Sequence, residues 1–150
     1  MKKWFSIVMA IFIILLATFI FRTFLKGEEI VKLESTLTLT STSPTQQEYL
    51  FILEPIETGD HTIIFDLKND ISLSLDHTTQ GESIPDDAWE INIPDRKKGE
   101  KVTLKQGEQL VYPITIHLDK LSPGEYELRA KFSASNVSVD TETVILNVEK

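Results

Sequence analysis

Two dipeptides of the same composition, Asp60-His61 and Asp76-His77, stand where the hydrophobic pattern places strand ends. Imidazole nitrogens and carboxylate oxygens both bind divalent metals, so two such pairs brought together could hold a cation. Their spacing matches no ligand motif such as His-x-x-x-His, and polar residues collect wherever strands exit to solvent. No metal or other cofactor is expected. Covalent catalysis would need a serine or threonine beside a base. Neither Gly-x-Ser-x-Gly nor Ser-x-x-Lys occurs, and His117 falls on the outward parity of its strand. The run Arg96, Lys97 and Lys98 in "PDRKKGEK" is a candidate of another kind, for partner binding. A basic loop suits the specificity pocket of a trypsin-like protease, and equally makes an ordinary solvated turn. "NVS" at Asn136–Ser138 is a formal glycosylation sequon, meaningful only in a eukaryotic secretory pathway. With no cysteine, the chain has no disulfide framework, thiol nucleophile or thiolate metal site. The residue inventory points away from an enzyme and towards binding.

The N-terminus sets the expected compartment. From Trp4 to Phe21, "WFSIVMAIFIILLATFIF" carries no charge. Extended to Leu25 it has 22 residues, about 33 Å of helix, against a hydrocarbon core of about 30 Å. A cleaved secretory signal has a shorter apolar region and a small-x-small cleavage site, and "FRTFLKGEE" offers none. The absence of cysteine excludes a lipoprotein anchor. A pilin-like assembly helix would need a processed glycine with a glutamate soon after it, and a Gly-x-x-x-Gly pairing face is also missing. The reading is an uncleaved tether. Lys2 and Lys3 before the span nearly balance Arg22 and Lys26 after it. Because everything foldable follows the span, a signal-anchor with its N-terminus inside and C-terminus outside is expected. The organisation is then a cytoplasmic tail at 1–3, a transmembrane helix at 4–25, a stem at 26–29 and one domain at 30–150.

Charge agrees with that placement. All 23 acidic residues lie at Glu28 or later, where only 11 of the 15 basic residues remain, a formal charge of −12. Such a domain has no electrostatic footprint for nucleic acid and is repelled by anionic headgroups.

The elements that must position these residues are strands. "STLTLT" alternates, with Leu33, Leu37 and Leu39 on one parity, and "EYLFILEP" is a continuous apolar run, as in a strand covered on both sides. "HTIIFDL" and "ISLSLD" flank a short turn at Lys68–Asp70, the second placing Ile71, Leu73 and Leu75 inward. "AWEINI" puts Trp89 in the core with Ile91 and Ile93. "VTLKQGEQLVYPITIHL" reads as a hairpin turning at "KQGE", with Tyr112, Ile114, Ile116 and Leu118 inward. Pro113 cannot donate to a ladder, so its strand is expected at an edge or a bulge. In "LSPG", Pro123-Gly124 is the pair a type II turn wants, and Tyr126, Leu128, Ala130 and Phe132 then alternate inward. A last strand lies within "VSVDTETVILNVE". About seven to nine short strands with turn signals every 8–12 residues or so are the cadence of an antiparallel sandwich.

The stretch "VTLKQGEQLVYPITIHLDKLSPGEYELRAKFSA" resembles the end of the BsuPI family, the intracellular proteinase inhibitor domain of bacilli. Leu104, Gly107, Glu108, Leu121, Pro123, Gly124 and Tyr126 hold the places of its Leu-x-x-Gly-Glu and Leu-x-Pro-Gly-x-Tyr turns. The resemblance implies an immunoglobulin-like sandwich, and protease inhibition as an alternative to a general binding role. It carries over no inhibitory residue. The primary expectation is therefore a membrane-anchored, extracytoplasmic, non-catalytic module of a Gram-positive-type envelope with a protein partner. For inhibition, the long loops "HTTQGESIPDD" and "PDRKKGEK" are the segments able to enter a cleft.

Overall fold

A computed structural model describes residues 30–66, 70–79 and 84–149. The expected tail, transmembrane helix and stem lie outside the described residues, and among those described no helix is long and apolar enough to cross a membrane. Ten strands follow one another among the described residues: β1 (Leu33–Thr42), β2 (Gln46–Pro55), β3 (Asp60–Ile64), β4 (Ile71–His77), β5 (Trp89–Ile91), β6 (Lys101–Lys105), β7 (Leu110–His117), β8 (Gly124–Ala134), β9 (Val137–Asp140) and β10 (Val144–Val148). The only helical segment among the described residues is a single 3-10 turn at Leu118–Lys120, so Leu118 leaves the strand pattern one residue earlier than expected.

All pairings are antiparallel, and they build three sheets. The first runs β1-β2-β7-β5, the second β10-β8-β4 with β9 also on β8, and the third is β3-β6 alone. Val31–Lys150 is one compact unit. The inward rings of the sheets meet in a single core. Phe51 of β2 lies 6.2 Å from Tyr112 of β7, Tyr112 lies 6.4 Å from Phe132 of β8, and Phe65, just past β3, meets Phe132 edge-on at 5.9 Å. Offset and edge-to-face contacts of this kind add to the area the rings bury. The described residues form an all-β fold whose sheets face one another across a shared core, an arrangement consistent with a β-sandwich.

Alternation predicts the inward set well. Tyr112, Ile114, Ile116, Tyr126, Leu128, Ala130 and Phe132 are all buried. Pairing is where the expectations need correction. "KQGE" does turn the chain, with Lys105 N–H donating to the Glu108 carboxylate at 2.9 Å and Glu108 N–H to Lys105 O at 3.0 Å. The strands on either side do not form a hairpin, however, because β6 joins β3 while β7 lies between β2 and β5. β3 and β4 likewise enter different sheets. β2 is fully covered on one face only, Tyr49, Phe51 and Leu53 being buried and Leu50 and Ile52 half-buried. Trp89 is half-buried at the margin of the core.

Pro113 sits in a strand with neighbours on both sides, neither at a sheet edge nor at a bulge. Its carbonyl accepts from Asn92 N–H at 2.9 Å, but it has no N–H to return, and β5 ends at Ile91. The proline thus stops its neighbour.

The expected type II turn is absent. Gly124 has φ +155°, far from the roughly +80° of that turn, and is already the first residue of β8. Its need for glycine has another cause: a Cβ there would fall 2.3 Å from His77 Nε2. Finally, the expected last strand is two. Thr141 N–H donates to Ala130 O at 2.8 Å, and its hydroxyl accepts from Ala130 N–H at 2.9 Å. The side chain takes the place of a backbone acceptor, the ladder skips, and β9 and β10 line the same edge of β8 with Thr141–Thr143 looped between them.

Candidate functional site

The histidines of both Asp-His pairs are spent on structure. His61 is buried, and its Nε2 donates to Glu57 O at 2.9 Å. Lys32 pairs with the Glu57 side chain at 2.8 Å, and that contact holds the carboxyl below its ordinary range. His77 sets its ring edge-on to Tyr126 at 4.6 Å, and its Nδ1 accepts from Thr79 N–H at 3.0 Å. Among the described residues no three His, Asp or Glu side chains gather as a metal ion would require. Asn136 of the sequon is also employed. Its amide donates to Thr62 O at 2.8 Å and its side-chain oxygen accepts from Ile64 N–H at 3.1 Å, while its carbonyl accepts from Val31 N–H. One buried asparagine thereby clasps β3 to the β8–β9 connection.

The basic loop divides. Arg96 turns inward, its side chain 13% exposed, with the guanidinium 4.2 Å above the Phe65 ring and Nη1 3.1 Å from Glu100. A cation over a ring face is attracted by the negative π-surface, and desolvation strengthens the contact. The same cation lies near the Tyr112 hydroxyl, where burial raises the phenol pKa and the positive charge opposes that rise. Glu100 completes the fastening, its second oxygen accepting from Lys97 N–H at 3.0 Å. That bond is the main cause of its lowered pKa. The backbone seals the loop: Gly99 N–H donates to Phe65 O at 2.7 Å and Phe65 N–H to Glu100 O at 2.9 Å. Gly99, at φ +78°, is where left-handed backbone is required. Lys97 and Lys98 remain exposed on this tethered turn. Sequence reasoning treated the three cations alike; the signal that separates Arg96 is Glu100 four residues on.

Removing that carboxylate loosens the loop. Glu100→Gln is expected to speed tryptic cleavage after Lys97 and Lys98 at neutral pH while the thermal midpoint of the domain moves little. Digests sampled over time by mass spectrometry read it out. Equal cleavage rates would mean that the Glu100 contacts do not hold the loop.

The second feature is a groove of about 760 Å³ between the outer edge of β1 and the β9–β10 edge. Glu34, Leu37, Ile56, Asp140, Glu142 and Val144 are among its walls. Sequence reasoning missed it, because no motif marks a place where two sheet edges approach.

No known family model matches the chain, and no curated protein matches it. Among solved structures, a β-glucosidase from Kluyveromyces marxianus in complex with glucose aligns at 14% identity and a TM-score of 0.47. The alignment covers 80% of this chain, which spans 14% of the glucosidase. A yeast GGA1 GAE domain–P21 structure aligns at 11% identity and a TM-score of 0.35, covering 83% of this chain and 96% of that one. Likenesses this distant carry nothing about activity or ligand.

Proposed function

We propose that this chain is a non-catalytic, protein-binding module of a Gram-positive-type envelope. Residues 4–25 anchor it by a single span, and an immunoglobulin-like β-sandwich lies outside the cell. The observation that supports this most is the apolar segment from Trp4 to Leu25, uncharged as far as Phe21, followed in sequence by a self-contained all-β unit. In that unit His61, His77 and Asn136 serve the scaffold, which leaves edges and loops for recognition. The absence of cysteine makes the topology easy to test. A Lys98→Cys variant places one thiol on an exposed turn. On intact spheroplasts it is expected to react with a membrane-impermeant maleimide without lysis. Labelling only after lysis would put the domain inside.

A second reading, protease inhibition, follows the BsuPI resemblance. The Arg96–Glu100 fastening favours it, since a pre-ordered loop presenting Lys97 and Lys98 loses little entropy on entering a cleft. Arg96 itself, turned onto Phe65, is not offered to a partner. Titration of the full chain against trypsin-like and subtilisin-like proteases separates inhibition from simple digestion.

A further inference from the structure

The ladder geometry says which backbone groups face the groove. In an antiparallel pair, each residue turns its N–H and C=O either to its partner or away, alternately. Ile56 N–H donates to Lys32 O, so the even residues of β1 bond to β2 and the odd ones, Leu33, Ser35, Leu37 and Leu39, face outward. Two contacts agree: Val31 N–H reaches Asn136 O, and the Ser35 hydroxyl reaches Asp140 O at 3.0 Å. Beyond Ser35 the two edges are not joined by any described hydrogen bond. Leu37 and Leu39 lie on the core-facing parity of β1, yet Leu37 is half-buried and Leu39 is 49% exposed. The strand overhangs the core. On the opposite edge, Glu125 O accepts from Thr78 N–H on the β4 side, so the alternation turns Ile145 outward, and its side chain is also 49% exposed.

Sheet edges are usually blunted with lysine, proline or inward charge. β1 has none of these in its ten residues, where Glu34 is the only charge, and its one register shift falls between Leu39 and Ser41, which leaves the edge regular up to Leu39. The charges around the groove are Glu34, Asp140 and Glu142, with Lys131 touching Asp140 only at 4.0 Å. Resting on the binding-module reading, we infer that the β1 edge receives an extended, basic peptide segment of a partner protein. Its backbone adds as a strand to Leu37 and Leu39, its alternate apolar side chains lie over Leu37 and Val144, and its cations meet Glu34, Asp140 and Glu142. Strand addition takes affinity from the backbone and specificity from alternate side chains, which is what the regular stretch of edge up to Leu39, beside an acidic, apolar groove, supplies.

The probe is the fluorescent peptide Lys-Val-Lys-Val-Lys-Val, titrated into the full chain in non-ionic detergent. Glu-Val-Glu-Val-Glu-Val and a backbone N-methylated Lys-Val peptide are the controls. The expected result is saturable binding of the Lys-Val peptide alone, with hydrogen exchange slowed at Leu37 and Leu39. Leu37→Pro removes an outward N–H without touching the β2 ladder, and Glu142→Lys reverses an exposed charge. Each is expected to weaken binding about tenfold or more, with Glu90→Lys on β5 unchanged. Equal binding of the acidic or methylated peptide, protection elsewhere, no saturable binding, or β1 protected by self-association without peptide would each overturn the inference. None of these outcomes touches the topology, which the maleimide labelling tests separately.

Discussion

Tyr126→Ala is expected to destabilise the domain by about 3–5 kcal/mol, the range for deleting a large buried aromatic ring. The ring is buried, edge-on to His77 at 4.6 Å, and its hydroxyl donates to Ser122 O at 2.9 Å. Removing it empties a site between β4 and β8 and leaves the Ser122 carbonyl without that donor. Domains of this kind have only about 5–15 kcal/mol in hand, so a large unfolded fraction near body temperature is expected. Urea denaturation followed by circular dichroism measures the loss, and any binding defect should scale with the unfolded fraction. A variant that melts like wild type but loses its partner would make the ring a surface anchor.

Gly124→Ala is expected to cost about 1–3 kcal/mol, the range for overpacking a fitted site. The added methyl would lie 2.3 Å from His77 Nε2, and His77 is held by Tyr126 on one side and by Thr79 on the other. The two causes available to this substitution are separable. A φ of +155° is itself uncommon for an L-residue, whereas the clash exists only while the imidazole is present. In a His77→Ala background the cost of Gly124→Ala should therefore fall by most of its value, which a double-mutant cycle reads as a coupling energy. An unchanged cost would place the cause in the backbone.

The same residues show what could be read from the chain and what could not. Period-2 alternation named the inward side chains of β7 and β8, because burial of one sheet face is a local property of the pattern. It could not say which strands pair. Lys105–Glu108 makes a good turn whether or not its flanking strands share a ladder, so the departure of β6 to β3 was hidden. Proline chemistry correctly marked position 113 as a break in hydrogen bonding; the break falls on β5, a neighbour that only the fold supplies. Glycine at 124 was rightly singled out, but its reason lies 47 residues away in His77. The basic loop was legible as a surface turn, while the inward Arg96 depends on the long-range approach of Phe65. The β1 groove left no local trace at all.

The position of β8 within the chain has a consequence for how the protein is made. β8 begins at Gly124, and β4, β9 and β10 all pair with it. β4, complete by His77, therefore has no strand to bond until much later residues arrive. β3 waits in the same way for β6, whereas β2 can pair at once with β1 and waits for β7 only on its other edge. Long-range closure of this kind is slow, because loop entropy is lost before contacts reward it. A ribosome releasing the chain from its N-terminus thus emits exposed apolar strands long before their partners exist. The chain needs protection from aggregation until β8 has emerged.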